Sequence, residues 1–159
     1  MTTHSTHGSV TAEPLVRLTE RGISISVRRI ETPRGERLEF DVEDTDTAIR
    51  LDAIALECLT WQSEDSFLES VPVEARTAPS DDCVVERGQP AGSRTELTRI
   101  TNEFCQIRVS RLVTDEREWL EIEAPKLGAA IALNAGAVRS VTHLDQRAFT
   151  ALLSDRLNR

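Results

Sequence analysis

Apolar and polar side chains alternate at Ile23, Ile25 and Val27 against Ser24, Ser26 and Arg28, and again at Leu38, Phe40 and Val42 against Glu39, Asp41 and Glu43. A period of two buries one face of an extended strand and wets the other. Between the two runs lies Thr32-Pro33-Arg34-Gly35, a turn sequence, so the pattern predicts a hairpin. With Glu31 opposite Glu36, Val27 faces Phe40 and Ile25 faces Val42 on the covered side, while Arg28 faces Glu39 on the wet side. A slip of one residue would move every apolar side chain into water, which fixes the register. A third short strand carries Ile49 and Leu51 and ends at Asp52, an N-cap residue, after which Leu56 and Leu59 take helical spacing over one or two turns. Ser63 then opens a longer helix whose inner face is Phe67 and Val71, stopped by Pro72.

The same pattern returns 82 residues later. Residues 15–71 align without a gap to residues 97–153, and 17 of these 57 positions are identical, among them Leu15/Leu97, Ile25/Ile107, Leu38/Leu120, Glu39/Glu121 and Phe67/Phe149. Most other changes at apolar positions, such as Ile23/Cys105, Phe40/Ile122 and Leu59/Val141, keep the side chain apolar, so what persists is a buried face. In the second copy Val109 faces Ile122, Arg108 faces Glu123, Asn134 is the N-cap, and Asp145 opens a helix through Phe149, Leu152, Leu153 and Leu157. The chain therefore divides into a disordered tail at 1–13 and one internally duplicated domain at 14–159, with repeat 1 at 15–71, a linker at 72–96 and repeat 2 at 97–157. A three-stranded sheet with one helix is small for an independent core. The expected fold is α+β: two tandem βββα repeats packed by pseudo-twofold symmetry into one domain, with about six mostly antiparallel strands and helices on one face.

Composition narrows the partners. There are 19 Lys+Arg against 27 Asp+Glu, a net charge of −8, which opposes a wholesale nucleic-acid coat. Lys126 is the single lysine and Tyr is missing, a bias that matches salt-adapted or GC-rich proteomes. No run is long and apolar enough to span a membrane and Met1 to Val10 lack a secretory pattern, so the expected address is the cytoplasm. Cys58, Cys83 and Cys105 are odd in number and widely spaced, reading as reduced thiols.

Candidate chemistry is sparse. Phosphate-loop, dinucleotide, zinc and nucleophile-elbow motifs are absent, and no cofactor, metal or catalytic residue is assigned. His143, at the place of Trp61 in the first copy, is the one histidine outside the tail and reads as a packed or surface residue. Asp41, Glu43, Asp44 and Asp46 are the right type for a hard cation, but the second copy has Glu123-Ala124-Pro125-Lys126 there, so a solvated acidic turn accounts for them. Arg28, Arg50 and Arg108 with Trp119 fall on wet-face positions, a set that could bind a single nucleic-acid strand through phosphates and stacking. Against this, Glu39 and Glu123 stand opposite Arg28 and Arg108 as cross-strand ion pairs.

The order of strand, glycine-containing turn, strand, strand and helix, duplicated, with the Arg34-Gly35 turn followed by Leu38, resembles the PUR-repeat and Whirly-type single-strand binders. The resemblance implies paired repeats forming one intertwined domain, and single-strand binding; the acidity and the Asp115-Glu116-Arg117 turn of the second copy depart from it. The expected function is a non-catalytic interaction or regulatory module with a protein partner or a second copy of itself. Single-stranded nucleic-acid binding is one alternative, and a small ligand or substrate held between the repeats is the other.

Overall fold

The computed structural model describes residues 10–62 and 83–144. Strands β1 (Thr11–Glu20), β2 (Ile23–Thr32), β3 (Gly35–Val42) and β4 (Ala48–Leu51) form one antiparallel sheet in that order, followed by helix α1 (Ala53–Thr60). Strands β5 (Val85–Arg87), β6 (Ser93–Thr101), β7 (Gln106–Val113), β8 (Glu118–Ala124) and β9 (Ala129–Leu133) form a second antiparallel sheet in the order β5-β9-β8-β7-β6, followed by helix α2 (Ala135–Val141). The fold is α+β, with nine strands among the described residues.

Both hairpin registers follow the alternation. Val27 lies opposite Phe40, Ile25 opposite Val42 and Arg28 opposite Glu39 in the first sheet, and Val109 opposite Ile122 and Arg108 opposite Glu123 in the second. Asp52 and Asn134 cap the two helices, each accepting the amide of the third helical residue: Ala55 N–H donates to Asp52 Oδ1 at 2.9 Å, and Ala137 N–H to Asn134 Oδ1 at 2.9 Å. The predicted helices opened by Ser63 and Asp145, with Phe67, Val71, Phe149, Leu152, Leu153 and Leu157, lie outside the described residues.

Three expectations need correction. About six strands become two sheets of four and five, because β1 and β6 were hidden: each carries one fully buried apolar residue, Leu18 or Ile100, and a bulge at Pro14/Val16 or Glu96/Thr98 interrupts its alternation. Residues 11–13, read as tail, start β1, and residues 85–87 and 93–96, read as linker, are strand. The helices do not share one face of one sheet. Helix α1 packs on β7, β8 and β9, and α2 packs mainly on β1, β2 and β3, so each helix covers the apolar face of the sheet it does not directly follow.

This exchange merges the two sheets into one core containing Ile25, Phe40, Leu56, Leu59, Ile107, Leu120, Ile131 and Val138, all fully buried. Each such side chain contributes about 1.5–3 kcal/mol through apolar area removed from water. Side chains of the first sheet also tie down the edge of the second. Arg29 Nη1 donates to Thr98 Oγ1 at 2.9 Å and to the Arg99 carbonyl at 2.7 Å, while the Thr101 amide donates to Glu36 Oε1 at 2.8 Å.

Candidate interaction site

The outer face of the first sheet is an ion-pair lattice. Glu39 on β3, whose side chain is only 6% exposed, accepts from Arg28 on β2 and from Arg50 Nε on β4 at 2.9 Å. Burial pushes the Glu39 carboxyl up, and the hydrogen bonds and charges of Arg50 and Arg28 more than reverse this, leaving it below its ordinary value. Next to it Arg17 binds Glu43 through two nitrogens at 2.7 and 2.9 Å, and Ser26 donates to the same carboxylate. Arg17 and Ser26 hold the Glu43 carboxyl low. Glu43 of the acidic stretch is thus held by an arginine and a serine, and among the described residues no three His, Cys, Asp or Glu side chains converge as metal ligands would.

The second sheet is built differently outside. Arg108 Nη1 donates to Glu123 at 2.8 Å and its guanidinium lies 3.2 Å from Glu96. Glu121, 2% exposed, takes two bonds from Arg94 at 2.5 and 2.8 Å. Trp119 has the parity of the outer face but is 5% exposed, because it packs with Leu112, Ala132 and Val84 in a small second apolar cluster. Its Nε1–H donates to Thr114 Oγ1 at 3.1 Å, and the Arg117 guanidinium sits 5.4 Å from the ring centre. The chain between β5 and β6 crosses here. A Cβ at Gly92 would lie 2.6 Å from the Val113 carbonyl, so only glycine permits this approach. A cleft of about 630 Å³ beside the crossing is lined by Glu86, Pro90, Trp119 and the Val113–Glu116 turn, away from the junction of the two halves.

Arg28 and Arg50 are therefore brought together through Glu39 on one sheet, while Arg108 and Trp119 lie on the other in separate settings. His143 is half-buried after α2, and burial, then the Arg139 charge, lowers its imidazole below the ordinary range, favouring the neutral form. Cys58, Cys83 and Cys105 are buried thiols, and burial raises that of Cys105. Among the described residues no helix is long and apolar enough to cross a membrane.

The edges of the sheets distinguish the halves further. The outer edge of β9 is closed by β5, with Val85 opposite Leu133, Glu86 opposite Ala132 and Arg87 opposite Ile131. Gly88 N–H donates to the Ala130 carbonyl at 2.8 Å, and Asn134 N–H to the Val84 carbonyl at 3.2 Å. Asn134 Oδ1 also accepts from Val84 N–H at 2.9 Å. The corresponding edge of β4 has no strand beside it among the described residues. Of the other outer strands, β1 carries Pro14 and a bulge, β6 is pinned by Arg29 and Glu36, and β5 has three residues. Sequence reasoning missed β5; its signal was the doublet Val84-Val85 followed by Gly88, inside a stretch whose prolines suggested a loop.

In comparisons with protein-family models and with curated proteins, nothing matches this chain.

Proposed function

We propose that the protein is an internally duplicated, non-catalytic interaction module of the cytoplasm that binds an extended segment of a partner protein along the edge of β4. The observation that carries this reading is the contrast between two edges at corresponding places: that of β9 holds a strand and that of β4 offers the same backbone groups unpaired by any described strand. Strand addition to such an edge draws affinity from main-chain hydrogen bonds and specificity from alternate side chains.

Several features support the duplication. The pairs Leu38–Leu51 and Leu120–Leu133 stand 82 residues apart, as do the two bulges and the two caps. The exchange of helices supports the intertwined arrangement implied by the PUR and Whirly resemblance. The ligand implied by that resemblance finds less support, because Trp119 is buried and Arg108, paired with Glu96 and Glu123, lies on the other sheet from Arg28 and Arg50, so the four do not make one cationic stacking face.

Selection of binders from a random linear-peptide library, followed by amide exchange of the protein with and without the recovered peptide, tests the proposal. Slowed exchange at Ala48–Leu51 is expected, with binding lost in Arg50→Pro, which removes an edge amide where proline is tolerated. Recovery of no peptide, or equal binding to Arg50→Pro, overturns it. Labelled single-stranded oligonucleotides should bind weakly at any salt concentration; tight, steeply salt-dependent binding abolished by Arg28→Glu with Arg108→Glu would favour the nucleic-acid alternative.

A further inference from the structure

The register of β5 on β9 states what an occupant of the β4 edge should look like. β3 and β4 pair Leu38 with Leu51, Glu39 with Arg50 and Phe40 with Ile49, while β8 and β9 pair Leu120 with Leu133, Glu121 with Ala132 and Ile122 with Ile131. Ala130 C=O and Asn134 N–H point toward β5, so the alternation of the strand turns Ala48 C=O, Arg50 N–H and C=O, and Asp52 N–H to the side of β4 away from β3, where no described strand lies. A segment seated on β4 as β5 sits on β9 places its Val85 equivalent opposite Leu51, on the core side, and its Glu86 equivalent opposite Arg50, on the outer face.

Arg50 is the side chain that differs most at this edge. Where β9 has the fully buried Ala132, β4 presents a guanidinium whose side chain is 48% exposed, and it shares the single carboxylate of Glu39 with Arg28. Arg50 reaches Glu39 through Nε, and the rest of its half-exposed guanidinium lies at the rim within reach of a carboxylate on a neighbouring strand. β4 is also short and carries a charge, features that discourage indiscriminate pairing and make a matched residue opposite Arg50 decisive.

Resting on the strand-addition reading, we propose that the β4 edge is specific for an extended protein segment running antiparallel to it, in which an apolar residue opposite Leu51 is followed directly by an acidic residue opposite Arg50. A second copy of the chain suits the edge less well, since twofold pairing of β4 centred on Arg50 sets two arginines face to face and the copies carry −8 each.

The test uses a synthetic peptide of the chain's own Val84–Gly88 sequence, Val-Val-Glu-Arg-Gly, added to the full-length isotope-labelled protein and followed by amide shifts. Shifts centred on Ala48–Leu51 are expected, with affinity falling about fivefold when the peptide Glu becomes Gln and further when it becomes Lys, from the size of cross-strand charge pairs. The Lys peptide should regain binding with Arg50→Glu, and Arg50→Gln should equalise the three peptides, which separates pairing from misfolding. Binding at β4 that ignores the peptide charge overturns the acidic specificity and leaves strand addition standing. Absence of shifts at β4 overturns both, and so does sedimentation showing a dimer that the peptide dissolves, because the edge then belongs to a second copy.

Discussion

The two sheets share registers, bulges and caps, yet they end differently. On the first, Arg37 stands partly exposed where the second has Trp119, and Arg50 stands where the second has Ala132. On the second, Val84 and the crossing chain cover Trp119 and Leu112, and β5 covers β9. The buried faces are alike because both serve one core, where any loss of apolar volume is felt throughout. Outer faces and edges differ in what the described residues place on them: a crossing segment and β5 on the second sheet, and on the first an ion-pair lattice beside the fully buried Ile30. Function is sought where the cover differs.

The largest effects test the shared core. Phe40→Ala should cost about 3–5 kcal/mol and Ile122→Ala about 2–5 kcal/mol, since both side chains are fully buried. Because each helix packs on the opposite sheet, denaturant unfolding of both variants should remain one transition seen alike by probes in either half. Two separate transitions would divide the core and break the comparison at its root.

Next comes the outer face. Trp119→Ala should cost about 3 kcal/mol, because it empties the cluster with Leu112 and Ala132 and leaves Thr114 without its indole partner. Arg37→Ala, 82 residues earlier, should stay within about 0.5 kcal/mol. Equal costs in denaturant titrations would mean that the first sheet is also covered. The caps divide the same way. Among the described residues the Asp52 side chain accepts from Ala55, so Asp52→Ala should cost about 1 kcal/mol. Asn134 is fully buried, accepts from Ala137 and Val84 and donates to Glu20 at 3.1 Å, so Asn134→Ala should cost about 2 kcal/mol and loosen β5 in amide exchange.

What was legible in the sequence follows from this division. Ile23 to Val27 and Leu38 to Val42 alternate cleanly because one side of each strand meets the core, so the hairpin, its register and the N-caps could be read directly. β1 and β6 could not, because a bulge breaks their alternation and only Leu18 and Ile100 are buried near their ends. The wet-face position expected for Trp119 was right in parity and wrong in exposure, because the ring is buried under residues of the crossing chain that the alternation of its own strand does not show. The pairing of Arg28 with Glu39 and Arg108 with Glu123 was visible as register, but the sharing of Glu39 by Arg50 needed the third strand in place. That no described strand lies beside β4 was illegible, since an edge is defined by what does not pair with it.

The smallest effect concerns that shared carboxylate. Glu39 has its pKa lowered in the folded protein by Arg50 and Arg28 against the opposing effect of burial, so its ionised form stabilises the fold at pH above its ordinary value of 4.5. As pH falls below 4.5 the unfolded chain takes up the proton first, and the contribution fades until the folded carboxyl is protonated too. Glu39→Gln should therefore lower the denaturant midpoint at neutral pH, with the gap to wild type closing as pH drops through this window. The same variant frees Arg28 and Arg50 from their common anion, so an acidic peptide at β4 should bind more tightly even though the fold is weaker. Stability and affinity moving in opposite directions is the signature of a charge held in reserve for a partner; both falling together would mean that Glu39 merely braces the strand.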